Sequence, residues 1–190
     1  MRKLAIFASG GGSNAKKLIE YFKDSNEVSI ALIVCNKPNA GVLSIARSAG
    51  IETLLINKVD FYETTNCIKL LEQYEIEFII LAGFLWKVPD YLINAFAKKI
   101  INIHPALLPK YGGKGMYGIH VHTAVVAAQE KETGITIHLV DEVYDNGEIL
   151  FQTSCKLAPT DTPTEVAAKV LTLEHAHFAE VVEQYVTKIS

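Results

Sequence analysis

The sequence has little cysteine. Cys35, Cys67 and Cys155 are scattered along the chain and odd in number, which favours reduced thiols over a disulfide framework or a cysteine-rich zinc site. Long hydrophobic runs are also missing, since no apolar stretch approaches the roughly 20 residues that a membrane-spanning helix needs. The apolar stretch after Arg2-Lys3 is too short for a secretion signal. We therefore expect a cytoplasmic protein without a membrane partner.

An excess of basic residues is missing as well, because the formal net charge is −3 at pH 7. Nucleic-acid-binding domains carry basic patches, so we expect no nucleic-acid partner. Hydrophobic residues make up 49% of the chain, as in a globular rather than a disordered protein. The length of 190 residues suits one domain, and no repeat or linker divides it. We therefore expect a single domain over residues 1–190.

Residues 4–103 have the pattern of alternating strands and helices. The strands are continuously apolar, which is typical of a parallel sheet covered on both faces. Their alternation with helices indicates right-handed βαβ units, and Gly50 is suited to end the second helix. We predict strands at residues 4–8, 28–35, 53–56, 78–82 and 100–103, and helices at residues 14–23, 42–49, 61–74 and 89–96.

The pattern changes after residue 133, where two strands are predicted at residues 135–140 and 149–153 around a polar loop. The last helix has Thr162 as its N-cap, Pro163 at its first position and Glu165 completing a capping box. The expected fold class is therefore α/β. It is a Rossmann-like, mostly parallel, twisted sheet with helices on both faces, a late antiparallel strand and a long C-terminal helix.

A glycine-rich loop, Ser9-Gly10-Gly11-Gly12-Ser13-Asn14-Ala15, lies between the first strand and the first helix. Its glycine spacing matches a dinucleotide loop, but the second strand ends in Cys35-Asn36-Lys37, without the acid that would hold a ribose. The Walker lysine is also missing. Backbone N–H groups and a helix N-terminus bind anions, so the loop, with Ser13 and Asn14, fits a phosphate monoester. The alternative is a tight turn that binds nothing.

Asn102 and His104 end the predicted strand 100–103 and lie two residues apart, so their side chains point to the same side. Pro105 ends the strand. In open α/β sheets, ligands bind beyond the carboxyl ends of the strands, and a pair of donors there can hold a developing oxyanion. The alternative is that Asn102 caps the strand end and His104 is a hydrogen-bonded core histidine.

Two carboxylates are further candidates. Asp145 lies in the polar loop between the late strands, where Asp-Asn-Gly could be ordinary turn chemistry. Glu174 lies on the last helix, where it could simply be a solvated side chain. Two histidine pairs, His120-Val121-His122 and His175-Ala176-His177, lack the i, i+4 spacing of a helical zinc motif. We therefore predict no metal site.

Several motifs follow one another in the order found in a known family. They are Ser9 to Asn14, Leu81-Ala82-Gly83-Phe84, Asn102-Ile103-His104-Pro105 with Leu107-Leu108-Pro109-Lys110, residues 138–150, and Glu174-His175-Ala176. On these motifs the chain resembles the folate-dependent phosphoribosylglycinamide formyltransferases. No single motif decides the resemblance, but together they are specific and cover nearly the whole chain.

The resemblance implies a formyltransferase fold that transfers a formyl group from 10-formyltetrahydrofolate, its co-substrate, to the amine of 5-phosphoribosylglycinamide in purine biosynthesis. It implies a monomer or homodimer with small-molecule substrates, and a cis Leu108-Pro109 peptide. By the same resemblance, the catalytic residues are Asn102, His104 and Asp145, the ribonucleotide is held by Gly12, Ser13, Asn14 and Glu174, and the folate is contacted by Leu85, Trp86, Lys87, Val88 and Asn102.

The implied chemistry is attack of the amine on the formyl carbon. Asn102 and a protonated His104 would stabilise the oxyanion, and Asp145 would favour the charged imidazole. Two departures stand out: Trp86 replaces an arginine of one branch of the family, and residues 111–118 form a glycine-rich insertion that could act as a lid. A formyltetrahydrofolate hydrolase, a formyltransferase for another amine and a non-catalytic nucleotide-binding module remain as alternatives.

Overall fold

The structure is a computed structural model that describes residues 1–189. Its strands are β1 (Arg2–Ala8), β2 (Val28–Cys35), β3 (Glu52–Leu55), β4 (Phe78–Leu81), β5 (Ile100–His104), β6 (Glu132–Leu139) and β7 (Ile149–Lys156). Its helices are α1 (Ser13–Phe22), α2 (Gly41–Ser48), α3 (Lys58–Tyr62), α4 (Asn66–Gln73), α5 (Asp90–Ala95), α6 (Ile119–Ala127) and α7 (Pro163–Lys188).

The strands follow the order β3-β2-β1-β4-β5-β6-β7 in one sheet. β1 is parallel to β2 and β4, and β2 is parallel to β3. β7 runs antiparallel to β6. The predicted α/β fold class is therefore confirmed, including the late antiparallel strand and the long C-terminal helix.

The chain divides into two compact units within β5. The first comprises residues 1–101 and the end of α7 from Val182, and the second comprises Asn102–Val181. In the first unit, the apolar runs predicted as strands are buried throughout β4 and in most of β1. α1 packs with its apolar stripe buried, which consists of Ala15, Leu18 and Phe22.

In the second unit, β6 is buried along nearly its whole length, whereas β7 alternates between exposed and half-buried residues. The Thr136 hydroxyl is fully buried and donates to Ala106 O at 2.7 Å. The same hydroxyl accepts from Leu108 N at 3.0 Å and from Gln152 Nε2 at 2.8 Å. One side chain thus fixes the turn after β5, in which Leu108-Pro109 is cis, as the resemblance implies.

Two predicted terminal motifs are confirmed. Gly50 has φ of 69° and follows α2, a left-handed conformation that glycine adopts without steric cost. Before α7, Thr162 N donates to Glu165 Oε2 at 2.8 Å and Glu165 N donates to Thr162 Oγ1 at 3.3 Å. This reciprocal pair is the predicted capping box.

One helix prediction was wrong, and one helix was missed. The single helix predicted over residues 61–74 is interrupted between α3 and α4, because Thr64 Oγ1 accepts from Asn66 N at 3.2 Å and gives the backbone a local alternative to the helical bond. α6 was not predicted, because its residues are apolar on most sides and show no helical alternation of apolar and polar positions. β5 also extends one residue further than predicted, to His104.

We expect Gly134→Ala to lower the free energy of unfolding by about 3 kcal/mol. A Cβ at Gly134 would lie 1.9 Å from Thr153 O and 2.8 Å from Leu107 Cδ2, so β6 and β7 could not keep their pairing. The control is Gly11→Ala, because a Cβ at Gly11 meets nothing within 4 Å. Denaturant unfolding measures both variants, and equal stabilities would contradict the tight packing at Gly134.

Candidate active site

Asn102 is oriented by a histidine on the neighbouring strand in the sheet order. Nδ1 of His138 lies 2.8 Å from the carbonyl oxygen of Leu139, which can only accept, so Nδ1 carries a hydrogen and donates it to that oxygen. The Nε2 of that ring is then an acceptor, and Asn102 Nδ2 donates to it at 3.0 Å. This bond fixes the amide and leaves Asn102 a second N–H for a ligand.

His104 is 4% exposed at the end of β5. Its Nε2 lies 2.8 Å from the carbonyl oxygen of Tyr111 and therefore donates to it. Its Nδ1 faces Asp145 Oδ2 at 3.6 Å, which is longer than a hydrogen bond. In the neutral ring, Nδ1 consequently carries the lone pair and points toward the carboxylate.

Asp145 lies between the two imidazoles. Its Oδ1 is 3.6 Å from His138 Nε2, and its Oδ2 accepts from Gly113 N at 2.8 Å. Its φ of 53° is left-handed, which aspartate tolerates in turns. The turn interpretation and the site interpretation therefore both apply to this residue, since the turn points the carboxylate between His104 and His138.

The charges of this cluster follow from burial and neighbours. Burial alone would raise the pKa of Asp145, but His138, His104 and the Gly113 N–H outweigh it and lower that pKa, so the carboxylate is ionised. Burial lowers the pKa of His104 below its usual 6.5, and the opposing effects of Asp145 and the Tyr111 carbonyl do not overcome it. As predicted, Asp145 raises the pKa of His104. The effect of burial is larger, however, so the neutral ring is favoured near pH 7.

Sequence reasoning brought Asn102, His104 and Asp145 together as candidates, and the structure places them in one cluster through His138. It missed His138 itself. Thr136 and His138 are polar residues two apart that alternate with the apolar Ile135, Ile137 and Leu139 of β6, and this period of two was the available signal. Tyr111 and Gly113 contact His104 and Asp145 through backbone atoms, and such contacts cannot be predicted from a sequence pattern.

The glycine loop precedes α1 as predicted. Gly12 is the N-cap with φ of 80°, no side chain caps the helix, and its first turn has no acidic residue. A Cβ at Gly12 would lie 2.8 Å from Cα and Cβ of Val42, so only glycine allows this approach. Ser13 is exposed and Asn14 is half-buried. These features suit an anion such as phosphate.

Ser9 connects the glycine loop to the segment proposed to contact folate. Its N–H donates to Gly83 O at 3.0 Å, and its buried hydroxyl accepts from Leu85 N at 2.9 Å. Within the segment, Leu85 is exposed and Val88 is buried. The two loops of the first unit are therefore joined by one serine.

The Trp86 side chain packs on other aromatic rings. Its centroid lies 5.7 Å from that of Phe61, 5.9 Å from that of Tyr62 and 6.2 Å from that of Phe84. The Tyr62 hydroxyl donates to Lys87 O at 3.0 Å. Next to Tyr62 lies an open cavity of about 460 Å³, whose lining contains no lysine or arginine: Tyr62, Glu63, Thr64, Thr65, Asn66 and Tyr91.

Glu174 is 9% exposed on α7, so it is not the solvated helical carboxylate that the sequence left as an alternative. Across residues 1–189, no group of three or more histidine, cysteine, aspartate or glutamate side chains is arranged to hold a metal ion. Within the same residues, no helix combines the length and the apolar character needed to cross a membrane.

The chain matches a known protein family. The sequence profile of the family described as "Formyl transferase" matches residues 2–182. The chain belongs to the formyl transferase family. In this family member, Asn102, His104 and Asp145 place an amide donor, an imidazole and a carboxylate in one cluster. Groups of these types are able to bind an oxyanion and to move a proton.

Two relatives of this family member are named as phosphoribosylglycinamide formyltransferases. The chain is 44% identical to "Phosphoribosylglycinamide formyltransferase, chloroplastic" of Arabidopsis thaliana over 95% of its own length and 64% of the relative's. It is 36% identical to "Phosphoribosylglycinamide formyltransferase" of Bacillus subtilis, covering 97% of this chain and 94% of the relative. The chain thus spans slightly less than two thirds of the chloroplastic relative.

Solved structures agree with the sequence relatives. The crystal structure of phosphoribosylglycinamide formyltransferase from Anaplasma phagocytophilum superposes with a TM-score of 0.90 at 28% identity, over 98% of this chain and 87% of that chain. The structural similarity therefore extends over almost the whole chain. It supports the same backbone arrangement.

We expect His138→Leu to reduce turnover by about tenfold to a hundredfold, because the Asn102 amide would lose its buried acceptor and its fixed orientation. His138→Gln, whose carbonyl oxygen can accept, should retain more activity. His177→Leu is the matched control, since His177 packs on Phe151 with a centroid distance of 5.0 Å and does not take part in the Asn102–His138 bond. Steady-state kinetics with unchanged turnover for His138→Leu would contradict this role.

Proposed function

We propose that the chain is a phosphoribosylglycinamide formyltransferase that moves a formyl group from 10-formyltetrahydrofolate to the amine of 5-phosphoribosylglycinamide. The observation that carries the proposal is the cluster of Asn102, His104 and Asp145, which is held in a geometry suited to acyl transfer within a formyl transferase family member. The names of the relatives support the choice of substrates. We further infer that residues 1–190 act as one catalytic domain, in the cytoplasm, as a monomer or homodimer.

The first step is attack of the neutral amine on the formyl carbon, which forms a C–N bond and a tetrahedral oxyanion. The second N–H of Asn102 donates to that oxygen, since the first is committed to His138. A donor of this kind contributes about a hundredfold to a thousandfold in rate. His138 contributes indirectly, because it determines which atom of the amide faces the ligand.

The proton of the attacking amine then moves to His104. Nδ1 of the neutral ring carries the lone pair, because Nε2–H donates to Tyr111 O. Asp145 is ionised and 3.6 Å from Nδ1, so it stabilises the imidazolium that forms. The imidazolium returns its proton to the folate nitrogen as the bond from the formyl carbon to that nitrogen breaks.

This sequence of steps refines the expectation of a protonated His104. The ring begins neutral and becomes charged only after the attack, so it serves first as a base and then as an acid. A protonated ring at the outset would have no lone pair for the amine proton. We therefore infer that turnover falls as the pH drops through the pKa of His104.

The other residues bind substrate. Gly12, Ser13 and Asn14 hold the phosphate through backbone N–H groups and the N-terminus of α1, and Glu174 holds another part of the ribonucleotide. Residues 85–88 and Asn102 contact the folate, mainly through backbone atoms, because the Trp86 ring packs on Phe61, Tyr62 and Phe84.

The deciding experiment follows the absorbance of deformylated folate with and without 5-phosphoribosylglycinamide. The proposal expects turnover only when the ribonucleotide is present. Turnover without an acceptor would indicate a formyltetrahydrofolate hydrolase instead. Turnover with a different amine and none with the ribonucleotide would indicate another formyltransferase. A complete lack of turnover would favour a binding module.

We expect Asp145→Asn to fold and to bind the ribonucleotide, but to lose about a hundredfold or more in kcat. The amide keeps the shape and can still accept from Gly113 N, but it cannot stabilise the imidazolium of His104. Kinetics and calorimetry on the same preparation measure both properties. Wild-type turnover in this variant would remove Asp145 from the mechanism.

We expect Ser13→Asp to weaken ribonucleotide binding by about tenfold or more, because its carboxylate would repel the phosphate. Ser13→Ala is the matched control, since it removes the hydroxyl without adding charge. An acid in the first turn of a helix is itself stabilising, so folding should be retained. Calorimetric titration that gives equal affinities for Ser13→Asp and the wild type would place the phosphate elsewhere.

A further inference from the structure

The loop from Tyr111 to Gly113 contacts both members of the His104–Asp145 pair. Tyr111 O accepts from His104 Nε2 at 2.8 Å, and Gly113 N donates to Asp145 Oδ2 at 2.8 Å. Between them, a Cβ at Gly112 would lie 2.6 Å from Leu108 Cδ2 and 3.2 Å from Asp145 Cβ. The loop therefore passes tightly against the pair, and its backbone supplies a hydrogen-bonding group to each side chain.

Tyr111 holds a backbone conformation that costs free energy. Its φ is 57°, in the left-handed region that bulky side chains rarely adopt. Such a conformation persists when surrounding contacts determine it. The contact here is made by the ring: the Tyr111 hydroxyl donates to Glu130 Oε1 at 2.9 Å.

Glu130 lies just after α6, in the turn that ends this helix, and its N–H donates to Val125 O at 3.3 Å. The carboxylate oxygen that accepts from Tyr111 also accepts from Lys110 Nζ at 2.9 Å. One carboxylate is thus bonded to two consecutive residues of the chain, and the second of these residues touches His104.

We propose that Glu130 is a positioning residue for His104, which it acts on through the hydroxyl and the backbone carbonyl of Tyr111. The carboxylate holds the tyrosine ring, the ring keeps the backbone in its left-handed conformation, and the carbonyl keeps the hydrogen of His104 on Nε2. The lone pair of Nδ1 then points toward Asp145. Glu130 thus acts on His104 through Tyr111.

The electrostatics give the proposal a measurable signature. Two titratable groups shift the pKa of His104: Asp145 raises it and His138 lowers it, and the Tyr111 carbonyl adds to the effect of Asp145. His122 also faces His104, which lowers the pKa of His122. Loss of the contact with the Tyr111 carbonyl removes one of the effects that raise the pKa of His104. Burial then lowers that pKa further. A variant that detaches Tyr111 therefore moves the His104 titration to lower pH.

Glu130 itself stays ionised through the neutral range. The groups that act on it are Lys110 and Tyr111, whose hydrogen bonds lower the pKa of Glu130. Burial and the bond to Glu130 raise the pKa of the Tyr111 hydroxyl, which therefore remains a donor. Neither the Glu130 carboxylate nor the Tyr111 hydroxyl changes its charge in the pH range where His104 titrates. A change in the His104 titration therefore reflects a changed position of the Tyr111 carbonyl.

The test uses four variants and one matched control in the full chain. Tyr111→Phe and Glu130→Ala break the contact, whereas Glu130→Gln keeps an oxygen that can accept from the hydroxyl. Lys110→Met removes the ion pair alone, and exposed ion pairs contribute little. The control is Tyr21→Phe. Tyr21 lies on α1, and its hydroxyl donates a similar bond to Glu183 Oε2 on α7 at 2.7 Å.

The first measurement is the titration of the His104 ring by NMR, assigned with a His104→Asn variant, in the protein without substrates. We expect the midpoint to move to lower pH in Tyr111→Phe and Glu130→Ala, and to stay near the wild-type position in Glu130→Gln, Lys110→Met and Tyr21→Phe. This readout does not depend on the proposed formyl transfer, so it tests the positioning role even if that reaction fails.

The second measurement is kinetic and rests on the proposed function. We expect kcat to fall by about twofold to tenfold in Tyr111→Phe and Glu130→Ala, as for loss of one hydrogen bond, with KM for the ribonucleotide unchanged. The acid limb of the pH profile should move to lower pH at the same time. General damage to the fold would lower kcat without moving that limb.

Three results would overturn the proposal. One is a wild-type His104 titration in both Tyr111→Phe and Glu130→Ala. Another is a Glu130→Gln variant that titrates like Glu130→Ala, because the hydrogen bond would then not be the cause. The last is an equal displacement in Tyr21→Phe. If Glu130→Ala does not fold, the comparison of Tyr111→Phe with Glu130→Gln decides the matter.

Discussion

The carboxylate of Asp145, placed between two buried imidazoles, is the constraint on which the candidate site depends. A largely buried charge is costly unless other groups compensate it. Here the compensation comes from the Gly113 N–H, which donates to the carboxylate at 2.8 Å, and from His104 and His138 whenever either ring, 3.6 Å away, is protonated. Each of the two histidine rings is fixed in turn by a backbone carbonyl, His104 by Tyr111 O and His138 by Leu139 O. The orientation of both rings is therefore set by the fold before any ligand arrives.

The cluster also explains why the turn after β5 is built so firmly. Thr136, buried on β6, bonds to backbone atoms of Ala106 and Leu108, and Gln152 on β7 bonds to both Thr136 and Leu108 O. These bonds hold the chain between His104 and Tyr111, and that short stretch determines where the Tyr111 carbonyl meets the imidazole. The antiparallel strand pair thus shapes the candidate site through its hydrogen bonds as well as through its packing.

Much of the fold could be predicted from the sequence, because apolar runs and helix caps are local signals. The strands β1, β2 and β4 and the capping box at Thr162 are examples. α6 could not be predicted this way, since its apolar residues face several directions. Within the site, Asn102 and His104 were recognisable from their spacing at a strand end. His138 was not singled out, and the contacts of Tyr111 and Gly113 arise from tertiary placement of backbone atoms.

Ser9 links two loops of the first unit. It bonds to the backbone of residues 83 and 85, and it is also the first residue of the glycine loop. If these loops hold the folate and the phosphate as proposed, a ligand that orders one loop lowers the entropy still to be lost by the other. Such coupling is reciprocal by thermodynamic necessity. The two substrates would then raise each other's affinity by the same factor, whichever of them binds first.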